Sequence, residues 1–123
     1  MLFFAYGTLK RGQCREHVLR AAKFLGSAQT APRWRLLDLG SYPGLVAGSL
    51  AVHGELYEIS PSLLPTLDAI ECVDDGLYER VDVAVRLDAR VDGAPRQSDC
   101  TAMTYRYLGE RRQGLHGLDR WPV

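Results

Sequence analysis

The sequence is short of cysteine. Cys14, Cys72 and Cys100 are an odd number, widely spaced, with no pair at C-x-x-C distance. That argues against a disulfide framework and reads as reduced thiols, so a cytoplasmic location is expected. A zinc site combining them with His17, His53 or His116 is not expected either. Net charge is also missing: fifteen basic residues balance fifteen acidic ones. No basic block is interleaved with aromatics, and Arg111-Arg112 is too short for an electrostatic footprint, so a nucleic-acid partner is not expected. Long hydrophobic runs are absent as well. The apolar start, Met1 to Tyr6, lacks a basic leader and runs straight into Gly7-Thr8-Leu9-Lys10-Arg11, which predicts neither a signal peptide nor a membrane span. There are no internal repeats and no low-complexity segments. Nothing in the sequence bears on oligomeric state.

What remains is an ordinary globular balance, 46% hydrophobic and 24% charged over 123 residues, which suits a single domain spanning 1–123. Leu2 to Tyr6 reads as a buried strand ended by Gly7, followed by a polar loop around Gly12. Val18, Leu19, Ala22 and Leu25 follow helical spacing, predicting an amphipathic helix over Arg15 to Leu25 that stops at Gly26, with His17 facing solvent or the core edge. Trp34-Arg35-Leu36-Leu37 is strand-like, and Gly40-Ser41-Tyr42-Pro43-Gly44 is a dense set of turn formers. Ala51 to Ile59 reads as a strand closed by Ser60-Pro61, after which Ser62 can cap a helix that tolerates Pro65 only in its first turn.

Beyond the turn at Cys72 to Gly76, Val81, Val83, Val85 and Leu87 alternate with Arg80, Asp82 and Arg86, the pattern of a half-buried strand. Asp92-Gly93 supplies a reversal, and Asp99 to Tyr107 a return strand with Met103, Tyr105 and Tyr107 on one face. The core then spans about residues 2–107. In the tail, 108–123, Leu115, Leu118 and Trp121 have the spacing of a loose helical turn. Five to seven short strands with two helices predict an α+β domain whose mixed or antiparallel sheet closes toward a small barrel.

Glu71 is the residue that most needs an explanation. At ~100° per residue, with Leu63 at zero, Leu67 falls near ~40°, Ile70 near ~340° and Glu71 near ~80°, which turns a carboxylate toward the leucine side. An ionised carboxylate in such a place shifts its pKa, finds hydrogen bonds or does proton chemistry. Three readings stand at this point: a helix-end glutamate that the helical pattern only nominally turns inward, one paired with an arginine such as Arg80, or a general acid/base.

Several motifs occur in order: Phe4-Ala5-Tyr6-Gly7-Thr8-Leu9-Lys10-Arg11-Gly12, Tyr42-Pro43-Gly44, Gly54-Glu55-Leu56-Tyr57, Leu67-Asp68-Ala69-Ile70-Glu71 and Tyr78-Glu79-Arg80. The series resembles the γ-glutamylcyclotransferase-like superfamily, nearest to its AIG2-like, γ-glutamylamine cyclotransferase branch. The resemblance implies a compact β-barrel with flanking helices. It also implies an enzyme that cyclises a γ-glutamyl group to 5-oxoproline and releases the attached amine or amino acid. By that resemblance Glu71 is the general acid/base, and Tyr6, Gly7, Thr8 and Leu9 form the turn that holds the γ-glutamyl part of a small-molecule substrate. Tyr42, Tyr78 and Tyr105 either line the pocket or pack the barrel. Cys72 stands where many relatives have glycine after the glutamate.

The chemistry agrees with the residue types. The substrate's own α-amino group attacks its γ-carbonyl, so the protein must deprotonate an ammonium, hold a bent conformer and protonate the leaving amine. One carboxylate suffices for both proton transfers, and an apolar setting makes it a stronger base. No cofactor and no metal are called for. A glycine turn after a buried strand can offer backbone N–H groups to an oxyanion. The alternative is a non-catalytic small-molecule binding or regulatory barrel of the same fold, since fold does not fix function.

Overall fold

The structure, a computed structural model, describes residues 1–7, 9–10, 12–13, 16–40, 42–71, 76–88, 100–108 and 119–121. Thr8, Cys14, Cys72, the Asp92-Gly93 reversal, Arg111-Arg112, Leu115, His116 and Leu118 lie outside them. The elements are β1 (Leu2–Ala5), β2 (Lys23–Thr30), β3 (Trp34–Asp38), β4 (Pro43–Ala47), β5 (His53–Glu58), α1 (Leu64–Ile70), β6 (Tyr78–Leu87) and β7 (Cys100–Tyr107), with 3-10 turns at Glu16–Leu19 and Pro61–Leu63.

Five strands close a mixed barrel in the order β1-β5-β2-β6-β7, and β3 and β4 form a separate two-stranded sheet. Four of the barrel pairings are antiparallel, including the expected β6 and β7 pair, which runs from Tyr78↔Tyr107 to Val85↔Cys100. The fifth is the parallel seam between β1 and β7, where Phe3↔Met103 is the one registered pair among the described residues. Side chains reinforce the seam just beyond that pair. The buried Thr104 hydroxyl donates to the Phe4 carbonyl at 2.7 Å, and the Tyr6 hydroxyl donates to the Tyr105 carbonyl at 2.7 Å.

Strand alternation divides the core in two. Phe4, Ala28, Leu56, Val83, Val85 and Ala102, drawn from all five barrel strands, cluster with Leu36 and Leu45 of the hairpin. Phe3, Ala5, Tyr57, Met103 and Tyr105 cluster on the other side with Leu67 of α1 and Leu19 of the first 3-10 turn. Gly54 permits the close pairing of β5 with β1, because a Cβ there would lie 2.5 Å from the Ala5 carbonyl oxygen and 2.6 Å from the Phe4 ring.

Two expectations are corrected. The helix expected over Arg15 to Leu25 is absent: Glu16–Leu19 form a 3-10 turn, and from Lys23 the chain joins the ladder on β5. The helical spacing misleads because the apolar residues serve different cores. Val18, Leu19 and Ala22 pack in one cluster, and Leu25 packs in the other. Gly26, expected as a helix stop, follows a register shift in β2 and has φ of 141°. The cap is also displaced. Ser60, not Ser62, accepts from the Ser62 amide, because Pro61 suits the first position of the 3-10 turn; Leu63, which precedes α1, makes no side-chain cap. Pro65 lies in the first turn of α1, as expected. No described helix is long and apolar enough to cross a membrane.

Replacing Thr104 by Val keeps the side-chain shape and removes the donor to the Phe4 carbonyl. The expected result is a loss of about 1–3 kcal/mol, read from urea denaturation. An unchanged midpoint would show that the seam does not rely on this bond.

Candidate functional site

A cavity of about 170 Å³ opens where the seam closes the barrel. It is smaller than the roughly 300–1,000 Å³ of sites for drug-sized ligands, so it suits one small group. Phe3, Phe4 and Ala5 of β1 line it together with Thr104 and Tyr105 of β7. The turn after β1 adds Tyr6, Gly7 and Leu9, and Tyr42 and Pro43 enter from the start of the hairpin's second strand. The end of α1 adds Ile70 and Glu71, and Leu77 and Tyr78 complete the wall. Tyr6, Gly7, Leu9, Tyr42, Tyr78 and Glu71, all singled out in the sequence, are therefore brought together; Thr8 lies outside the described residues.

Glu71 carries the one charged side chain among the described lining residues. It ends α1, its amide donating to the Leu67 carbonyl at 3.0 Å, and its backbone leaves the helix with φ −87° and ψ 5°. Leu67, one turn earlier, is fully buried while Glu71 is half-buried. The helix thus packs its leucine on the barrel and sets Glu71 in the cavity wall. Arg80 pairs with Asp68 at 2.8 Å.

Gly7 is needed for space. A Cβ there would meet Pro43 Cγ at 2.8 Å, and Gly7 is not among the glycines of positive φ. Its carbonyl accepts from the Lys10 amide at 3.0 Å, closing a turn against the cavity. The Lys10 ammonium donates to the Trp121 carbonyl, and the His53 amide donates to the Asp119 carbonyl at 2.7 Å, so the far end of the chain returns beside the turn. Burial lowers the pKa of Lys10, the Glu55 charge opposes that, and Arg120 adds to it.

The phenols are both walls and struts. Tyr6 accepts from the Leu45 amide at 3.3 Å while donating to Tyr105, which ties the barrel seam to the hairpin. Tyr78 donates to the Pro43 carbonyl at 2.7 Å, and its ring meets Tyr107 edge-on at 5.4 Å. Tyr42 is 36% exposed, with its ring 6.5 Å from that of Tyr78. Tyr105 donates to Asp68 Oδ1 at 2.6 Å, and Asp68 Oδ2 accepts from Arg80.

Burial raises the Tyr6 pKa well above its ordinary value, helped by Tyr78 and by the Glu71 charge and opposed by the Leu45 bond. Burial also raises that of Tyr105, reinforced by the hydrogen bond to Asp68 and the charges of Asp68 and Glu71 and opposed by Arg80. Glu71 therefore acts electrostatically on both phenols.

Pro43, Thr104 and Asp68 were not selected as site residues from sequence. Asp68 had a legible signal, since its i,i+3 spacing from Glu71 puts two carboxylates on one side of the last helical turn. Thr104 had none, because its role depends on the neighbouring strand. Among the described residues no cluster of three or more His, Cys, Asp or Glu is placed to hold a metal ion.

Over residues 3–121 the chain matches a family model described as Gamma-glutamyl cyclotransferase, AIG2-like. A Vibrio cholerae relative is 44% identical over 72 residues, 58% of this chain and 63% of that one. The human protein named Gamma-glutamylaminecyclotransferase is 35% identical over 116 residues, 83% of this chain and 73% of that one. The crystal structure of an AIG2-like mouse protein matches with a TM-score of 0.83 at 25% identity, covering 98% of this chain and 86% of that one. The chain spans 61–63% of the length of the first bacterial relatives it matches.

The two raised phenols give the fold an alkaline limit. Above the ordinary value of 10.0 the unfolded chain releases protons that the folded chain keeps, so stability is full below that pH and falls as pH rises beyond it. Urea midpoints measured across this range should fall for the wild type and fall less steeply for Tyr6→Phe. Parallel curves would contradict the assignment.

Proposed function

The chain belongs to the gamma-glutamyl cyclotransferase, AIG2-like family, and from that premise we propose that the cavity converts a γ-glutamyl amine or γ-glutamyl amino acid to 5-oxoproline and free amine. The observation that carries the reading is Glu71, the one charged side chain among the described lining residues, set against the turn that starts at Gly7.

In this reading the γ-glutamyl group fills the cavity and the leaving group projects through its mouth. Glu71 takes a proton from the substrate's α-ammonium, and the freed amine attacks the γ-carbonyl carbon. The C=O bond opens to an oxyanion, which backbone N–H groups of the turn that starts at Gly7 stabilise. On collapse the C=O bond re-forms and the bond to the leaving nitrogen breaks, with Glu71 returning its proton to that nitrogen. The second proton lost from the attacking nitrogen is balanced by protonation of the released amine in water. Tyr42 and Tyr78 contact the bound substrate, Tyr78 through its ring or as an acceptor, because its hydroxyl donates its proton to the Pro43 carbonyl. Glu71 carries the proton that moves from the attacking to the leaving nitrogen, and water exchanges the second.

The test is 5-oxoproline release from a panel of γ-glutamyl amines and γ-glutamyl dipeptides, wild type beside Glu71→Gln. The expected outcome is release by the wild type and a loss of kcat/KM of roughly 10²–10⁴ in the variant, with ligand binding retained. Binding without release in the wild type would instead assign these ligands to a non-catalytic binding barrel.

A further inference from the structure

Tyr105 is the one cavity phenol that donates to a carboxylate. Tyr6 and Tyr78 donate to backbone carbonyls. Tyr105 donates to Asp68 Oδ1 at 2.6 Å, and Arg80 holds the other oxygen of that carboxylate at 2.8 Å. A phenol has one proton to give and two lone pairs to offer. With its proton donated to a carboxyl oxygen, Tyr105 meets a ligand only as an acceptor, and a polarised one.

We propose that the Arg80–Asp68 pair is a positioning clamp that fixes Tyr105 as the acceptor for the α-ammonium of the γ-glutamyl group, holding that nitrogen beside Glu71. The inference rests on the cyclotransferase reading and adds to it a means of selecting ligands that carry an α-amino group. The surroundings suit a cation: Asp68 and Glu71 are three residues apart at the end of α1, and the charges of both act on the Tyr105 phenol. Arg80 offsets part of this field from β6 while keeping Asp68 oriented. The phenol keeps its own proton, the more firmly for its raised pKa, and directs it at Asp68.

The test compares two ligands of nearly one shape, L-glutamine and glutaramic acid, which lacks the α-amino group. Their binding is followed by NMR titration for the wild type, Tyr105→Phe and Asp68→Asn. The wild type should bind L-glutamine more tightly than glutaramic acid. Tyr105→Phe should weaken L-glutamine roughly tenfold or more and leave glutaramic acid within about twofold. Asp68→Asn, which keeps the Tyr105 ring and carries the test if Tyr105→Phe does not fold, should show the same selectivity at roughly two- to tenfold. Equal weakening of both ligands, as a purely structural role would give, overturns the clamp, and so does no change. A wild type that releases 5-oxoproline yet does not discriminate between the ligands overturns the clamp alone. A wild type that binds neither ligand and releases no 5-oxoproline overturns the cyclotransferase reading along with it.

Discussion

The parallel seam between β1 and β7 is the constraint on which the rest of the molecule depends. The other four pairings in the barrel are antiparallel, and this one registers at Phe3↔Met103 among the described residues. A barrel closed there needs help from side chains, and the Thr104 and Tyr6 hydroxyls supply it by donating across the seam to backbone carbonyls. Tyr6 also reaches the Leu45 amide, so the same phenol anchors the hairpin and brings Pro43 against Gly7. The cavity forms where this stitching replaces a regular ladder.

That placement explains how so small a chain combines a packed core with a polar site. Every buried side-chain nitrogen or oxygen among the described residues has a hydrogen-bond partner, as a stable interior requires. The tyrosine hydroxyls form the joints between barrel, hairpin and helix while their rings form the wall. Walls braced in this way suit the proposed cyclisation, which needs its ligand held in one geometry. The carboxylates arrive together because Glu71 is the C-terminal cap of α1, which carries Asp68 three residues earlier.

The barrel strands were legible because Val81, Val83, Val85 and Leu87 keep a period of two through a long run, and because Phe3 and Phe4 are buried on opposite faces of β1. The first helix was misread because Val18, Leu19, Ala22 and Leu25 only imitate one stripe; they belong to two cores that the linear pattern does not separate. In the site, Glu71 stood out from helix phase, and the turn after β1 from its glycine. The reason for Gly7 lay elsewhere, since the crowding comes from Pro43, 36 positions away in sequence. The Tyr105, Asp68 and Arg80 network joins three elements, so local spacing could mark Asp68 but not its partners.

The most direct test of the central claim asks which nucleophile attacks the γ-carbonyl. Turnover of a γ-glutamyl amide in ¹⁸O-labelled water, followed by mass spectrometry, separates the two routes. Attack by the α-amino group yields unlabelled 5-oxoproline, the result this account predicts. Glutamate carrying one ¹⁸O would show that water attacks instead, and would contradict intramolecular cyclisation.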